Sequence, residues 1–187
     1  EVQEQSSAGR RAIARMRRAC GEMHAFIEAT LLLSREDSAT IQQEASTDVP
    51  ALVAALVEDI LPLLQARNVS LVTDIPPGFT LPQPPSLVQI TLGNILRNAI
   101  EHTRDGSIDL RAHDGVLTIR DTGCGIPAAD LPRIFERSYT TKKDGVGLGL
   151  NLVKRICDRF GWHIAVASEE GQGTTVTIDL ARAAATP

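Results

Sequence analysis

The chain has 187 residues, 43% of them hydrophobic and 22% charged, with a formal net charge of −4. That length supports one full core plus a small appendage, and its interspersed charges form no Lys/Arg field for a phosphate backbone, which argues against a nucleic-acid partner. No apolar run reaches the roughly 20 residues of a spanning helix, so a soluble piece without membrane contact of its own is expected. Cys20, Cys124 and Cys157 are odd in number, far apart and without a CxxC pattern; neither a disulfide framework nor a zinc site is suggested, and a reducing, cytoplasmic setting fits. The sequence opens on Glu1 within a helical pattern, as a piece of a longer protein would.

In chain order, Ile13, Met16, Cys20, Met23, Ile27 and Leu31 recur at steps of three and four, a narrow apolar stripe that calls for a partner helix. The polar stretch from Ser34 to Asp48 ends that pattern, and a domain boundary is placed near residue 39, dividing a helical segment 1–38 from a globular unit 39–187. Thr47 or Asp48 can cap the next helix, with Pro50 in its first turn. Leu52 to Ala66 is amphipathic, with Pro62 expected to kink or shorten it. Val69 to Thr73 alternates like a strand and meets the turn signal Pro76-Pro77-Gly78.

Residues 84–103 form the next predicted helix. At 100° per residue, Val88, Leu92, Ile95, Leu96 and Ala99 share one arc, whereas Asn94, Asn98 and Glu101 fall together on another. Strands follow at Ser107 to Ala112 and Val116 to Arg120 with a His113-Asp114-Gly115 turn between them, the second ending at Asp121. Thr122 to Gly147 is long, rich in glycine and charge, with only a brief helical pattern around Leu131 to Phe135, as a functional loop or lid would be. Leu148 to Phe160 is amphipathic through Leu150, Val153, Cys157 and Phe160 and stops at Gly161. Trp162 to Ala167 and Thr174 to Leu180 are the last strands, joined by a Gly171/Gly173 turn. Helices and strands mix without strict alternation, which points to a layered α/β sandwich.

Four short motifs occur in order: Asn94-x-x-x-Asn98-Ala99, Asp121-Thr122-Gly123-Cys124-Gly125-Ile126, Gly145-Val146-Gly147-Leu148-Gly149-Leu150 and Gly171-Gln172-Gly173-Thr174-Thr175. Taken singly, each has an ordinary explanation: solvated amides, a turn after a strand, a flexible hinge before a helix. Their order and spacing say more, since Asn98 to Asp121 is 23 residues, Asp121 to Gly145 is 24 and Gly149 to Gly173 is 24, each interval holding the elements a single pocket needs.

With these motifs the chain, over roughly residues 40–182, resembles the catalytic ATP-binding domain of histidine kinases in the GHKL ATPase superfamily. The motifs match the family's N, G1, G2 and G3 boxes, and Ile134-Phe135-Glu136-Arg137 with Tyr139-Thr140-Thr141-Lys142 is similar to its F box. Arg15 to Glu36 resembles the second helix of the dimerisation and phosphotransfer hairpin. The resemblance implies a two-layer α/β sandwich, a mixed sheet covered by helices, with an N-terminal helical extension. It also implies ATP and Mg²⁺ as ligands, and as partners an acceptor histidine on the protein's own dimerisation helix, a response regulator and a second copy of the full-length chain.

On that resemblance Asp121 accepts from the adenine amino group, Gly123 and Gly125 let backbone approach the base, and Ile126 supplies apolar wall. Asn98 and Asn94 offer amide oxygens to Mg²⁺, a hard cation that prefers oxygen. Gly145, Val146, Gly147, Leu148 and Gly149 bring backbone N–H groups and a helix N-terminus to the phosphates. Lys142 adds a lid charge, Tyr139 belongs to the F box, and Thr174 shares the aspartate's hydrogen-bond network. Glu101 and His102 stand where the family often has a basic residue and an aromatic, which leaves His102 against the nucleotide but weakens phosphate contact from that helix. Cys124, in the variable position of the G1 box, is expected beside the pocket.

The gyrase, MutL and heat-shock chaperone branches carry a glutamate four residues before the metal asparagine to activate water. Here that residue is Asn94, so slow hydrolysis and phosphoryl transfer by positioning are expected. The acceptor is expected upstream: His24 is followed by Ala25, not by an acidic residue, and His113 and His163 read as turn and strand surface. An aspartic protease shares the Asp121-Thr122-Gly123 signature, but only one copy occurs and the other motifs go unexplained. A nucleotide-binding scaffold without activity is the third reading, and the intact boxes argue against it.

Overall fold

The structure is a computed structural model that describes residues 46–137, 139–140 and 147–180, together with residues 9, 16, 20, 21, 23, 27, 30 and 31. Those eight N-terminal positions are helical, and Met16, Met23, Ile27 and Leu31 of the predicted stripe are exposed.

The globular unit is under way by β1 (Thr47–Asp48), which pairs antiparallel with β3 (Thr80–Leu81); neither short strand is apparent from the sequence. Thr47 is buried and its Oγ1 donates to the Gln83 carbonyl at 2.6 Å. Of the two possible caps, Asp48 serves: its Oδ1 accepts from the Ala51 N–H at 3.0 Å and starts α1 (Val49–Arg67). Pro62 does not shorten this helix as expected. Pro62 and Glu58, one turn before it, are both exposed, so the carbonyl that loses its partner faces water. Buried Val49, Val53, Leu56, Ile60 and Leu64 make the core stripe. Contrary to the sequence reading, α1 is long and apolar enough to cross a bilayer by length and composition, yet that stripe packs into the domain core.

The main sheet has the order β2-β4-β5-β7-β6, built from β2 (Val69–Asp74), β4 (Gly106–His113), β5 (Val116–Asp121), β6 (His163–Glu169) and β7 (Gly173–Asp179). β2 runs parallel to β4 and all other pairs are antiparallel, so the sheet is mixed. β2 does not alternate cleanly: it is an edge strand with Val69 alone buried. The β4–β5 turn is tighter than expected, because His113 stays in the strand and only Asp114 and Gly115 turn, both at positive φ (48° and 77°), the two-residue hairpin geometry that Asp-Gly favours.

α2 (Pro85–His102) and α3 (Gly149–Phe160) complete the helical layer. α2 buries Leu87, Val88, Leu92, Ile95, Leu96, Ala99 and Ile100. On α3 the buried residues are Leu152, Val153, Ile156 and Cys157, not Leu150 and Phe160. The helices cover one face of the sheet, where Ile108, Leu110, Leu117, Ile119, Ile164, Val176 and Ile178 are buried. Burying that many branched aliphatic side chains, at about 1.5–3 kcal/mol each, is what holds the two layers together.

Candidate functional site

The alternation that buries Leu117 and Ile119 on β5 delivers Asp121 to the same face at the strand's last position. In the ladder Asp121 stands opposite Ile108 of β4 and Thr174 of β7. It is 6% exposed, and its Oδ1 accepts from the backbone N–H groups of Gly123 at 2.9 Å and Thr174 at 3.2 Å. Oδ2 takes no donor from the described residues. Burial pushes the carboxyl above its ordinary value, and the two backbone donors pull partly against that.

Asp121 lies in a cleft of about 400 Å³ walled by Ile95, Ala99, Ile119, Ile134, Val166 and Val176. Asn94 and Asn98 of α2 line it one turn apart, as do Gly147, Leu148, Gly149 and Leu150 at the start of α3. Asn94 donates through Nδ2 to the Ile90 carbonyl at 2.7 Å, so its free end is oxygen. That oxygen would be 2.8 Å from a Cβ placed on Gly149, which brings the first and third motifs into contact. α3 begins without a side-chain cap, so its first N–H groups stay open to an anion. A hard cation escorted by a polyphosphate fits this donor set: the free Asn94 amide oxygen and the Asn98 amide beside bare N–H groups, with no cluster of three His, Cys, Asp or Glu among the described residues that would hold a metal by itself.

The glycines of the second motif answer to protein backbone. A Cβ on Gly123 would strike the His102 carbonyl and the Asp121 carboxylate, and one on Gly125, at φ +67°, would overlap the Glu169 carbonyl. These glycines allow close packing between the loop after β5, the end of α2 and the β6–β7 turn, and Gly125 also lines the cleft. The Cys124 N–H donates to the His102 carbonyl at 3.0 Å and the Cys124 carbonyl accepts from Gly171 at 2.8 Å. Cys124 is exposed, lines the cleft, and holds its Sγ 3.7 Å from His102 Nδ1.

The structure gathers Asn94, Asn98, His102, Asp121, Gly125, Ile126, Tyr139, Gly147, Leu148, Gly149 and Thr174 around one cleft, whereas Gly123 stands behind it as a donor to Asp121. Lys142, Gly145, Val146 and His24 lie outside the described residues. His113 is exposed beside Asp114 at 2.9 Å, and His163 is exposed at the start of β6. Tyr139 faces the Arg133 guanidinium at 4.5 Å and bonds to Asp130, which raises its hydroxyl pKa. The Asn151 amide donates to the Phe135 carbonyl at 2.9 Å and ties this segment to α3. Sequence reasoning missed Arg97, Asp130 and Glu170 on the cleft wall and the hydroxyl of Ser168 behind it. Asp130, Glu170 and Ser168 fall outside the four motifs, whereas Arg97 is a variable position within Asn94-x-x-x-Asn98, on the same helix face as the asparagines, and that spacing was the signal.

The family described as histidine kinase-, DNA gyrase B- and HSP90-like ATPases matches residues 83–184. Sporulation kinase E of Bacillus subtilis is 35% identical over 142 residues, covering 68% of this chain and 19% of its own length. Phosphate regulon sensor protein PhoR of Pseudomonas aeruginosa is 29% identical over 188 aligned positions, 92% of this chain and 42% of its own. The chain thus spans less than half the length of either relative. Among solved structures, full-length ShkA in complex with AMPPNP superposes with a TM-score of 0.66 at 26% identity, covering 86% of this chain and 36% of that one.

Proposed function

The chain belongs to the histidine kinase-, DNA gyrase B- and HSP90-like ATPase family, and on that premise we propose that residues 39–187 are the Mg²⁺-ATP-binding catalytic domain of a two-component sensor histidine kinase. Residues 1–38 then contribute a helix to the dimerisation and phosphotransfer domain of a homodimeric protein. The observation that carries the reading is a single cleft lined by the buried Asp121, by Asn94 and Asn98 one turn apart, and by the uncapped start of α3.

In this role Asp121 accepts from the adenine amino group, a pairing guanine cannot satisfy because it presents an oxygen there. Ile126 and the aliphatic walls take the base. Asn94 and Asn98 hold Mg²⁺, which neutralises the triphosphate. The N–H groups of Gly147, Leu148 and Gly149, with Gly145, Val146 and Lys142 on the lid, hold the phosphates; His102 and Tyr139 flank the nucleotide. An acceptor imidazole attacks in line, a P–N bond forms as the bond to the β-phosphate oxygen breaks, and ADP leaves. The phosphoryl group passes to a response regulator. An amide at Asn94, engaged with the Ile90 carbonyl, cannot take a proton from water, so transfer wins over hydrolysis. The family setting supports a cytoplasmic location.

The test is binding of a fluorescent ATP analogue with and without Mg²⁺. Saturable binding that ATP competes away and Mg²⁺ strengthens is expected, and no binding overturns the reading. Joined to a histidine-bearing dimerisation helix, the chain should form acid-labile phosphohistidine.

A further inference from the structure

Ser168 lies on β6 opposite Thr174, which lies opposite Asp121. The three residues form one cross-strand row on the helix-covered face, and only Ser168 stands outside the cleft lining. Its Oγ meets three groups. The Ile126 N–H donates to it at 2.8 Å, it donates to the Gly173 carbonyl at 2.8 Å, and Thr174 Oγ1 is 2.9 Å away.

A serine hydroxyl has one proton and two lone pairs. A carbonyl oxygen cannot donate, so the proton between Ser168 and Gly173 belongs to Ser168. The contact with Thr174 must then run the other way, with Thr174 donating. Ser168 is saturated with one bond given and two received, and the Thr174 hydroxyl turns only lone pairs toward the cleft. Asp121 Oδ2 is likewise an acceptor.

Resting on the ATP-site reading above, we propose that Ser168 is a positioning residue for base selection. By consuming the Thr174 proton, it makes the floor of the cleft acceptor-only beside Asp121, a surface that takes a purine bearing a 6-amino group and repels one bearing a 6-oxo group. Through Ile126 the same hydroxyl also fixes the loop after β5.

The experiment measures affinities of the full chain for ATP and for inosine triphosphate, whose base differs in presenting a 6-oxo group and an N1–H. Ser168→Ala frees the Thr174 proton to turn into the cleft. ATP binding should weaken while inosine triphosphate holds or gains, narrowing the ratio by about twofold to tenfold, the range one hydrogen bond commands. Ser168→Thr should restore the ratio, and in a Thr174→Val background Ser168→Ala should no longer change it. Should Ser168→Ala not fold, Ser168→Cys, with a weak thiol at nearly unchanged size, carries the same expectation. A parallel loss of both nucleotides, as simple loosening would produce, or an unchanged ratio overturns the proposal. Failure of the unsubstituted chain to bind ATP is a separate result that removes the nucleotide-site reading itself.

Discussion

Asp121 pays for its position in desolvation, and that has two measurable consequences. Its carboxyl is raised by burial, so the folded state holds a proton more tightly than the unfolded chain. The stability this confers is complete below the ordinary carboxylate value and is lost as pH rises through the raised one. Asp121→Asn should therefore melt no lower than the parent at neutral pH. An adenine amino group, by contrast, requires the ionised form: ATP affinity should fall as pH drops through the Asp121 titration, and Asp121→Asn should flatten that profile while binding about tenfold to a hundredfold more weakly, the range for a charge-assisted bond. Titrations that superimpose for the two proteins would remove Asp121 from the site. The thiols offer a second comparison. Burial pushes Cys157 up to about 12, whereas Cys124 is exposed at the cleft. Alkylation should occur at Cys124, be slowed by Mg²⁺-ATP and block nucleotide binding; modification indifferent to nucleotide would place Cys124 outside the bound footprint. Much of this scale was legible, because DxGxG and paired asparagines are written in side chains. Ser168 was not, since a lone serine in a strand acquires meaning only from the ladder that sets it beside Thr174.

Among the elements, α2 carries both a core face and a face toward the cleft, and 3.6-residue periodicity separated the two from sequence. Asn98→Ala trims only the second. It should leave the melting temperature near that of the parent and weaken ATP chiefly when Mg²⁺ is present; a mutant with the parent's metal dependence would exclude Asn98 as a ligand. The amphipathic character of α1 was legible, but its continuation through Pro62 was not. A proline costs a helix most where the orphaned carbonyl is buried, and the sequence does not show that Glu58 and Pro62 face water. The two-residue strands β1 and β3 escaped notice because pairings that short leave no period to read.

For the whole molecule, the layered class followed from the mixture of elements, whereas strand order did not, because β2 and β4 are brought together across α2 from distant parts of the chain. That placement has a kinetic meaning. β2 hangs on the sheet by one parallel partner with only Val69 buried, while β5 is held antiparallel on both sides. The two should belong to different cooperative units. In native-state hydrogen exchange, the β2 amides are expected to open at a free energy well below that of β5, which should open only with global unfolding. Equal protection would make the sheet a single unit. If β2 opens first, the Asp121–Thr174–Ser168 row on β5, β7 and β6 stays assembled while the far edge breathes, and ATP should raise protection across that row while leaving the exchange of β2 nearly unchanged.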